Sequence, residues 1–486
     1  MKSIAAMLPP VAAVTPSLTV SVIGTGYLGA TQAVCMALLG HNVMGIDVDE
    51  AKISDLSRGH LPFYEPGLDE LLGQALETGR LSFTTGFAEA ADADIHFICV
   101  GTPQSPDSDA ADLRFVHTAV RRLASHLHNR CLIVGKSSVP VGTAARLASL
   151  VRSLSPGGLA VELAWNPEFL REGHAVEDTL RPNRIVFGVA SDWAQAQLSA
   201  AYAPLIAAGT PVITTDLATA ELVKSAANSF LATKISYINA MAEICEAVGG
   251  DVNLLAEALS YDERIGGQFL KPGLGFGGGC LPKDIRAFAY RARELGVGQA
   301  VSFLHQVDDI NRRRRQRTVD LVSDLAYGNL ADVKVTILGA AFKPDSDDIR
   351  DAPALDVARM LHRAGAQVTV FDPQAMDNAR KKYPELTYAA SVESAVAGAE
   401  VLALLTEWEV FKRADPVALG RLVSRRNIVD GRHALDAEAY RAAGWDYRAL
   451  GIPSALNSLT LLPAPSSAPG PSISRPALAV HSHPVP

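Results

Sequence analysis

Thr19-Val20-Ser21-Val22-Ile23-Gly24-Thr25-Gly26-Tyr27-Leu28-Gly29 reads as a short apolar strand running directly into a glycine-spaced turn that opens a helix. In such a turn Gly24 allows the tight reversal, Gly26 lets backbone approach a pyrophosphate, and Gly29 lets helix pack on strand. Tyr27 and Leu28 fill the variable places, and the helix N-terminus adds positive potential. Asp47 follows the next apolar run, Asn42–Ile46, near the spacing of about twenty residues expected for a ribose-binding carboxylate. An acid there repels a 2′-phosphate, so the pattern selects NAD over NADP. Lys52 is either a contact to the adenosine end or a solvated helix charge. The alternative, a glycine-rich turn with no ligand, is weakened by the strand, helix and acid around it.

Outward from this stretch, apolar runs at residues 95–100, 131–134, 161–164, 184–188 and 211–215 alternate with helical patterns. That alternation predicts an α/β fold with a mostly parallel sheet. A long helical stretch over residues 218–248 follows, with Leu222, Ala226, Leu231, Ile235, Ile238, Ala242 and Cys245 at threes and fours. It reads as a spine between domains or a dimer face. A second α/β series has strands at 333–338, 367–371, 401–405 and 427–429. The expected divisions are an extension (1–17), a Rossmann domain (18–215), a helical domain (216–325), a second α/β domain (326–455) and a disordered Pro/Ser/Ala-rich tail (456–486).

At 486 residues the chain is too long for one hydrophobic core. A net charge of −8 argues against nucleic acid, and no run reaches the roughly 18 apolar residues of a membrane span. The five cysteines (35, 99, 131, 245 and 280) form no CxxC pair, which predicts neither disulfides nor a metal site and fits a reducing cytoplasm. The start faintly resembles a signal peptide, but Pro9-Pro10 breaks its apolar patch.

Three constellations carry chemistry. In Gly277-Gly278-Gly279-Cys280-Leu281-Pro282-Lys283-Asp284, Pro282 suits a first helical turn, putting Cys280 at the N-cap. The dipole there is expected to lower the thiol pKa and make a nucleophile, against the bland reading of an inert buried cysteine. Asp284 projects from the same helix face. Lys224 and Asn228 stack i, i+4 on the spine, where polar groups on a buried face need partners or a ligand. Asn166-Pro167-Glu168-Phe169-Leu170-Arg171-Glu172-Gly173 follows a strand end, where ligands of such sheets bind. The basic run Arg312–Arg315 with Arg317 reads as a solvated helix face with local ion pairs or as an interface, and Lys343 after Phe342 as a holder of phosphate or sugar hydroxyls.

Over residues 20–451 these motifs resemble the UDP-glucose/GDP-mannose dehydrogenase family. They run in order: GTGYLG from Gly24, FYEPGLDELL from Phe63, CVGTP from Cys99, NPEFLREG from Asn166, GFGGGCLPKD from Gly275 and AFKPDSDDIR from Ala341. The resemblance implies a Rossmann NAD-binding domain, a helical dimerisation domain and a Rossmann-like nucleotide-sugar domain. It implies a four-electron oxidation of a nucleotide sugar, UDP-glucose first, with GDP-mannose and UDP-N-acetylmannosamine as alternatives and a non-catalytic NAD-binding protein more distant. By the same resemblance Cys280 forms a thiohemiacetal and then a thioester, Lys224 and Asp284 hold water and stabilise oxyanions, Asn228 orients the substrate, and Glu168 is the base for hydrolysis. Ser138 keeps a hydroxyl proton donor and, with Thr102, borders the cofactor; Glu172, Lys283 and Arg350 reach it too. Glu168, Phe169, Leu170, Lys224, Asn228, Phe269, Leu270, Lys271, Gly275, Phe276, Gly277, Phe342, Lys343 and Arg432 face the UDP-sugar, joined by Arg264 of the partner subunit. Departures from the family pattern are Gly279 for Ser, Leu281 for Phe, Ser138 for Thr and Ser225 for Tyr.

Overall fold

The computed structural model describes residues 17–453, so the expected tail and all but Ser17 of the extension lie outside the described residues. Its first sheet has β1 (Thr19–Ile23), β2 (Asn42–Ile46), β3 (Leu81–Thr84), β4 (Ile95–Ile98), β5 (Cys131–Gly135), β6 (Val161–Trp165), β7 (Ile185–Gly188) and β8 (Val212–Thr215). The spatial order is β3-β2-β1-β4-β5-β6-β7-β8, so the chain reverses direction across the sheet between β1 and β4. All neighbours are parallel except β6 and β7, which meet antiparallel at Trp165 and Gly188. The strands are near-continuously apolar because both faces are covered: Val20, Phe97 and Val134 pack into one layer, Ile23, Ile98 and Ile133 into the other.

The second sheet contains β9 (Lys334–Leu338), β10 (Gln367–Phe371), β11 (Thr387–Tyr388), β12 (Val401–Leu404), β13 (Asn427–Asp430) and β14 (Asp446–Ala449), ordered β11-β10-β9-β12-β13-β14 and wholly parallel. Both sheets therefore carry a crevice at their strand C-termini where the order reverses, beside β1/β4 and β9/β12.

Between the sheets runs the spine helix, Leu217–Val248. Asp216 starts it by accepting the Thr219 N–H at 2.9 Å, and Gly249 at φ +81° stops it. Its 32 residues span about 48 Å. It packs against the helices Leu281–Glu294 and Phe303–Leu325. Its opposite side leaves Phe230, Tyr237 and Ile244 more than half or about half exposed, seven residues apart.

The basic run departs from its solvated reading. Arg314 and Arg315 are buried because their helix is sandwiched between the spine and the second sheet, so its inward arginines must meet carboxylates. Arg314 Nη2 lies 3.1 Å from Glu246, and Arg315 pairs with Asp351 at 3.0 Å and also with Asp356. Arg312 and Arg313 keep more than half of their side chains in solvent.

Candidate active site

The helix Tyr27–Leu38 begins directly after Gly26. Gly24 has φ +87°, and a Cβ there would lie 2.7 Å from Val100 Cγ1; one at Gly29 would lie 1.7 Å from the Gly24 carbonyl oxygen. At Gly26 a Cβ would meet nothing within 4 Å, so the turn opens onto free space at the helix's positive end. Asp47 is fixed at the rim: its Oδ2 accepts from Thr25 N at 2.9 Å and pairs with Lys52 Nζ at 2.9 Å. Burial pushes the Asp47 carboxyl up, but Lys52 and the backbone donors outweigh it, holding the acid below its ordinary range. Lys52 is thus engaged by the acid rather than left free for adenosine. The cradle, the ribose-side carboxylate and the open helix end suit a dinucleotide. Thr102 Oγ1 donates to the Ser138 carbonyl at 2.8 Å, and both residues line a cleft that reaches Leu222, Lys283 and Asp284.

Cys280 is the N-cap of the helix Leu281–Glu294, with Pro282 in its first turn, and Asp284 N returns a bond to the Cys280 carbonyl at 3.0 Å. Cys280 is exposed to solvent, although the surrounding protein still desolvates its thiolate. The thiol does not follow the helix-dipole expectation. Burial, then the Asp284 and Glu168 charges, push it up to about 11, with Lys224 and Lys283 pulling the other way. A helix end contributes only about 0.3–1 kcal/mol, less than one decade of acidity, so desolvation overrides it.

Around the sulfur three remote segments converge. Lys224 Nζ, nearly buried, lies 3.0 Å from Glu168 Oε1, whose other oxygen accepts Leu170 N at 2.6 Å. Burial disfavours the ammonium, but Glu168, Cys280 and Asp284 outweigh it, so Lys224 stays charged with a raised pKa. Asn228 Nδ2 donates to Asp284 Oδ2 at 2.7 Å, and Lys283 Nζ lies 2.5 Å from Asp284 Oδ1. The i, i+4 spacing on the spine thus delivers a cation and an amide to the two acids flanking the cysteine.

Glu172 meets the second sheet's side of the cleft, accepting from Ser346 Oγ at 3.0 Å and Arg350 Nη2 at 3.2 Å. Burial and Asp348 push it up to about 7 against the pull of Arg350. The Arg350 guanidinium lies over Gly279, where a Cβ would stand 2.2 Å from its central carbon; a glycine at this position makes that room. The cysteine loop is also zipped to the same segment, with Gly278 N donating to the Arg350 carbonyl at 2.8 Å.

Several expected substrate contacts spend their side chains elsewhere. Leu270 and Phe276 are core residues, filling two small clusters along the spine. Arg432 donates to the carbonyls of Leu405, Gly275 and Phe342 at 2.8, 2.9 and 3.2 Å, bracing the loops of both halves. Arg264 is 89% exposed and pairs with Asp262, outside the cluster. Phe269, at φ +62°, and Lys271 are solvent-facing, whereas Phe169 stacks beneath Arg184 at 3.7 Å. Phe342 packs against the glycine loop at Gly278, and Lys343 is half-buried near Glu172, with burial lowering its pKa.

Sequence reasoning missed three anchors. Asn311 brackets Phe276, accepting its N–H at 2.8 Å and donating to its carbonyl at 2.9 Å. Glu221 takes Gly142 N at 2.7 Å and Ala144 N at 2.6 Å, tying the spine to the loop after Ser138. Glu65, 2% exposed, joins Tyr27 to the turn at Gly173. No local pattern marks the first two, since their partners lie 35 or more residues away; Glu65 sits in a quoted motif whose role was unread.

Profiles of the UDP-glucose/GDP-mannose dehydrogenase family match in chain order: its NAD binding domain over residues 18–206, its central domain over 218–313 and its UDP binding domain over 336–437. The chain belongs to this family. Relatives include UDP-glucose 6-dehydrogenase of Rickettsia felis, 40% identical over 92% of this chain and 98% of its own length. UDP-glucose 6-dehydrogenase TuaD of Bacillus subtilis is also 40% identical, over 90% of this chain and 93% of its own. A solved UDP-glucose dehydrogenase from Pyrobaculum islandicum superposes with a TM-score of 0.83 at 37% identity, covering 91% of this chain and 99% of the other. The family's cofactor is NAD, and the Gly24–Gly29 turn lies within the matched NAD binding domain. Among the described residues no group of side chains is arranged to hold a metal, and no helix is long and apolar enough to cross a membrane.

Proposed function

We propose that this member is a cytoplasmic UDP-glucose 6-dehydrogenase that oxidises the primary alcohol of UDP-glucose to the carboxylate of UDP-glucuronate. The observation that carries the reading is solvent-exposed Cys280 in the electrostatic reach of the Lys224–Glu168 and Asn228–Asp284 pairs. Gly24, Gly26, Gly29, Asp47, Thr102 and Ser138 would hold the cofactor, with Glu172, Lys283 and Arg350 on its reactive side. Bound NAD⁺ accepts a hydride at each of two oxidations.

Lys224, held cationic, stabilises the alkoxide formed at C6 as an oxyanion hole does, and water held with Asp284 removes the hydroxyl proton. Asn228 fixes Asp284 and the C6 oxygen in register. An aldehyde carries no readily transferred hydride until it becomes tetrahedral. Cys280 Sγ bonds the aldehyde carbon, the thiol proton passes to the new hydroxyl oxygen, and a thiohemiacetal results. Its oxidation leaves a thioester on Cys280. Glu168 takes a proton from the attacking water, the carbon–sulfur bond breaks, and that proton passes to the departing sulfur, which returns as the neutral thiol.

Phe342, Lys343 and the backbone of residues 269–277 supply the UDP-sugar side, with Arg264 of the partner subunit completing it. The apolar stripe Phe230, Tyr237 and Ile244 is the homodimer face. The chain is divided as 18–215 for NAD, 216–325 for the cysteine loop and dimer, and 326–455 for the nucleotide sugar. The support for UDP-glucose over another nucleotide sugar is the 40% identity to enzymes of that name.

NADH yield tests the reading: about two per UDP-glucose are expected, with UDP-glucuronate found by mass analysis. One NADH per sugar rejects the second oxidation, and turnover of GDP-mannose or UDP-N-acetylmannosamine in preference rejects the substrate. Cys280→Ser should stall at the aldehyde stage, and full turnover in it removes the cysteine from the mechanism.

A further inference from the structure

The motif Phe63–Leu72 has no part in the chemistry above, yet it places a carboxylate in the interior. Glu65 is 2% exposed and accepts hydrogen bonds on both of its oxygens. Its Oε2 accepts the Tyr27 phenol in a short bond and Gly173 N at 2.6 Å; its Oε1 accepts Ala175 N at 2.7 Å. The Tyr27 oxygen also accepts Gly173 N at 3.1 Å, closing a three-membered ring of bonds. Phe63 packs its ring 5.0 Å from that of Tyr27, which fixes the phenol's direction. A buried acid is costly, and burial raises the Glu65 pKa even against these donors.

The two ends of this ring matter more than the ring. Tyr27 is the first residue of the helix whose N-terminus forms the dinucleotide cradle. Gly173 follows Glu172 directly, has φ +76°, and presses on the second half of the chain: a Cβ there would lie 2.8 Å from the Asp345 carbonyl. The turn bearing Glu172 is thus clamped between Glu65 on one side and residues 345–350 on the other, where Ser346 and Arg350 hold its carboxylate.

We infer that Glu65 is a positioning residue for the cofactor's reactive end, transmitting the seating of the dinucleotide on the Gly24–Gly29 turn to Glu172 through the Tyr27 phenol. The inference rests on the reading that Glu172 lies beside the nicotinamide.

Glu65→Gln keeps the shape but sets its NH₂ either against the phenol and Gly173 N or against Ala175 N, so in either placement a backbone donor at the Gly173 turn loses its acceptor. Tyr27→Phe removes the phenol and leaves Glu65 bonded to Gly173 and Ala175, so it serves where Glu65→Gln fails to fold. The net worth of one such bond predicts about a tenfold rise in the KM for NAD⁺, with the KM for UDP-glucose changed less than about twofold and the unfolding midpoint of Tyr27→Phe near wild type. A purely structural role would move both KM values together. Glu172→Gln, measured in parallel by NADH fluorescence titration, separates the two layers. If Glu172→Gln weakens NADH and the Tyr27 and Glu65 variants do not, the positioning role is overturned while the reading of Glu172 stands. If Glu172→Gln leaves NADH binding unchanged, the underlying reading fails and the inference falls with it. Weakened NADH in all three, with UDP-glucose unaffected, is the supporting result.

Discussion

Replacing Lys224 with methionine keeps the length and apolar stem of the side chain but removes one half of a pair whose side chains are 7% and 13% exposed. Glu168 then carries a charge with no counter-ion, although Leu170 N still donates to one of its oxygens. Breaking a buried pair from one side costs about 3–5 kcal/mol; the surviving backbone bond argues for the lower end, about 3 kcal/mol. The double variant Lys224→Met/Glu168→Gln has no naked charge and should recover about 2 kcal/mol of that loss. Activity follows a different rule. In the proposed mechanism the ammonium is also the oxyanion stabiliser, so kcat should fall by about 10²–10³ in the single variant and not recover in the double. Parallel urea unfolding curves and NADH assays of the three proteins measure both. Equal stability of single and double variants would refute the ion-pair argument; recovered turnover in the double would refute the oxyanion role. Because the pair holds the ammonium above its ordinary value of 10.5, its stabilisation is complete below that pH and is lost as pH rises through the folded-state value.

Three further outcomes are expected. With the thiol pushed up to about 11 and the other four cysteines buried, iodoacetamide should modify one site per chain, at a rate still climbing between pH 8 and 10; a plateau near neutrality would contradict the burial argument. Glu172, raised to about 7, should give kcat/KM for NAD⁺ a limb near that pH, and Arg350→Ala should move the limb upward by removing a cation that favours the carboxylate. A downward move, or a limb retained in Glu172→Gln, sinks that assignment. Gly279→Ser should displace the flexible Arg350 guanidinium rather than the backbone, raising the KM for NAD⁺ severalfold with an unchanged unfolding midpoint; a destabilised protein would mean that the loop, not the arginine, yields.

The sequence made the parallel core legible because its strands are buried on both faces and read as plain apolar runs, as at Cys131–Gly135. It hid the edges. β3 (Leu-Ser-Phe-Thr) and β14 (Asp-Tyr-Arg-Ala) alternate with polar residues, and β11 has only two residues, so none stands out from a loop. Helix spacing pairs Lys224 with Asn228, and the N-cap signature pairs Cys280 with Asp284; only the family resemblance implied that the two pairs share one site. The sign of the thiol's shift was not foreseeable, since it depends on how many protein atoms crowd the sulfur. The arginine run misled for a related reason: charge composition does not say which face of Phe303–Leu325 turns inward.

The hydrogen bond from Gly278 to Arg350, and Gly277 set where a Cβ would lie 2.3 Å from the Asp351 carbonyl, make one welded seam of two segments some seventy residues apart. A chimera grafting a cousin's last third onto this protein would therefore inherit a mismatched joint unless residues 273–284 travelled with the graft. For anyone recombining these enzymes to alter sugar preference, the practical unit of exchange is discontinuous, and the sulfur goes with the part that reads the nucleotide.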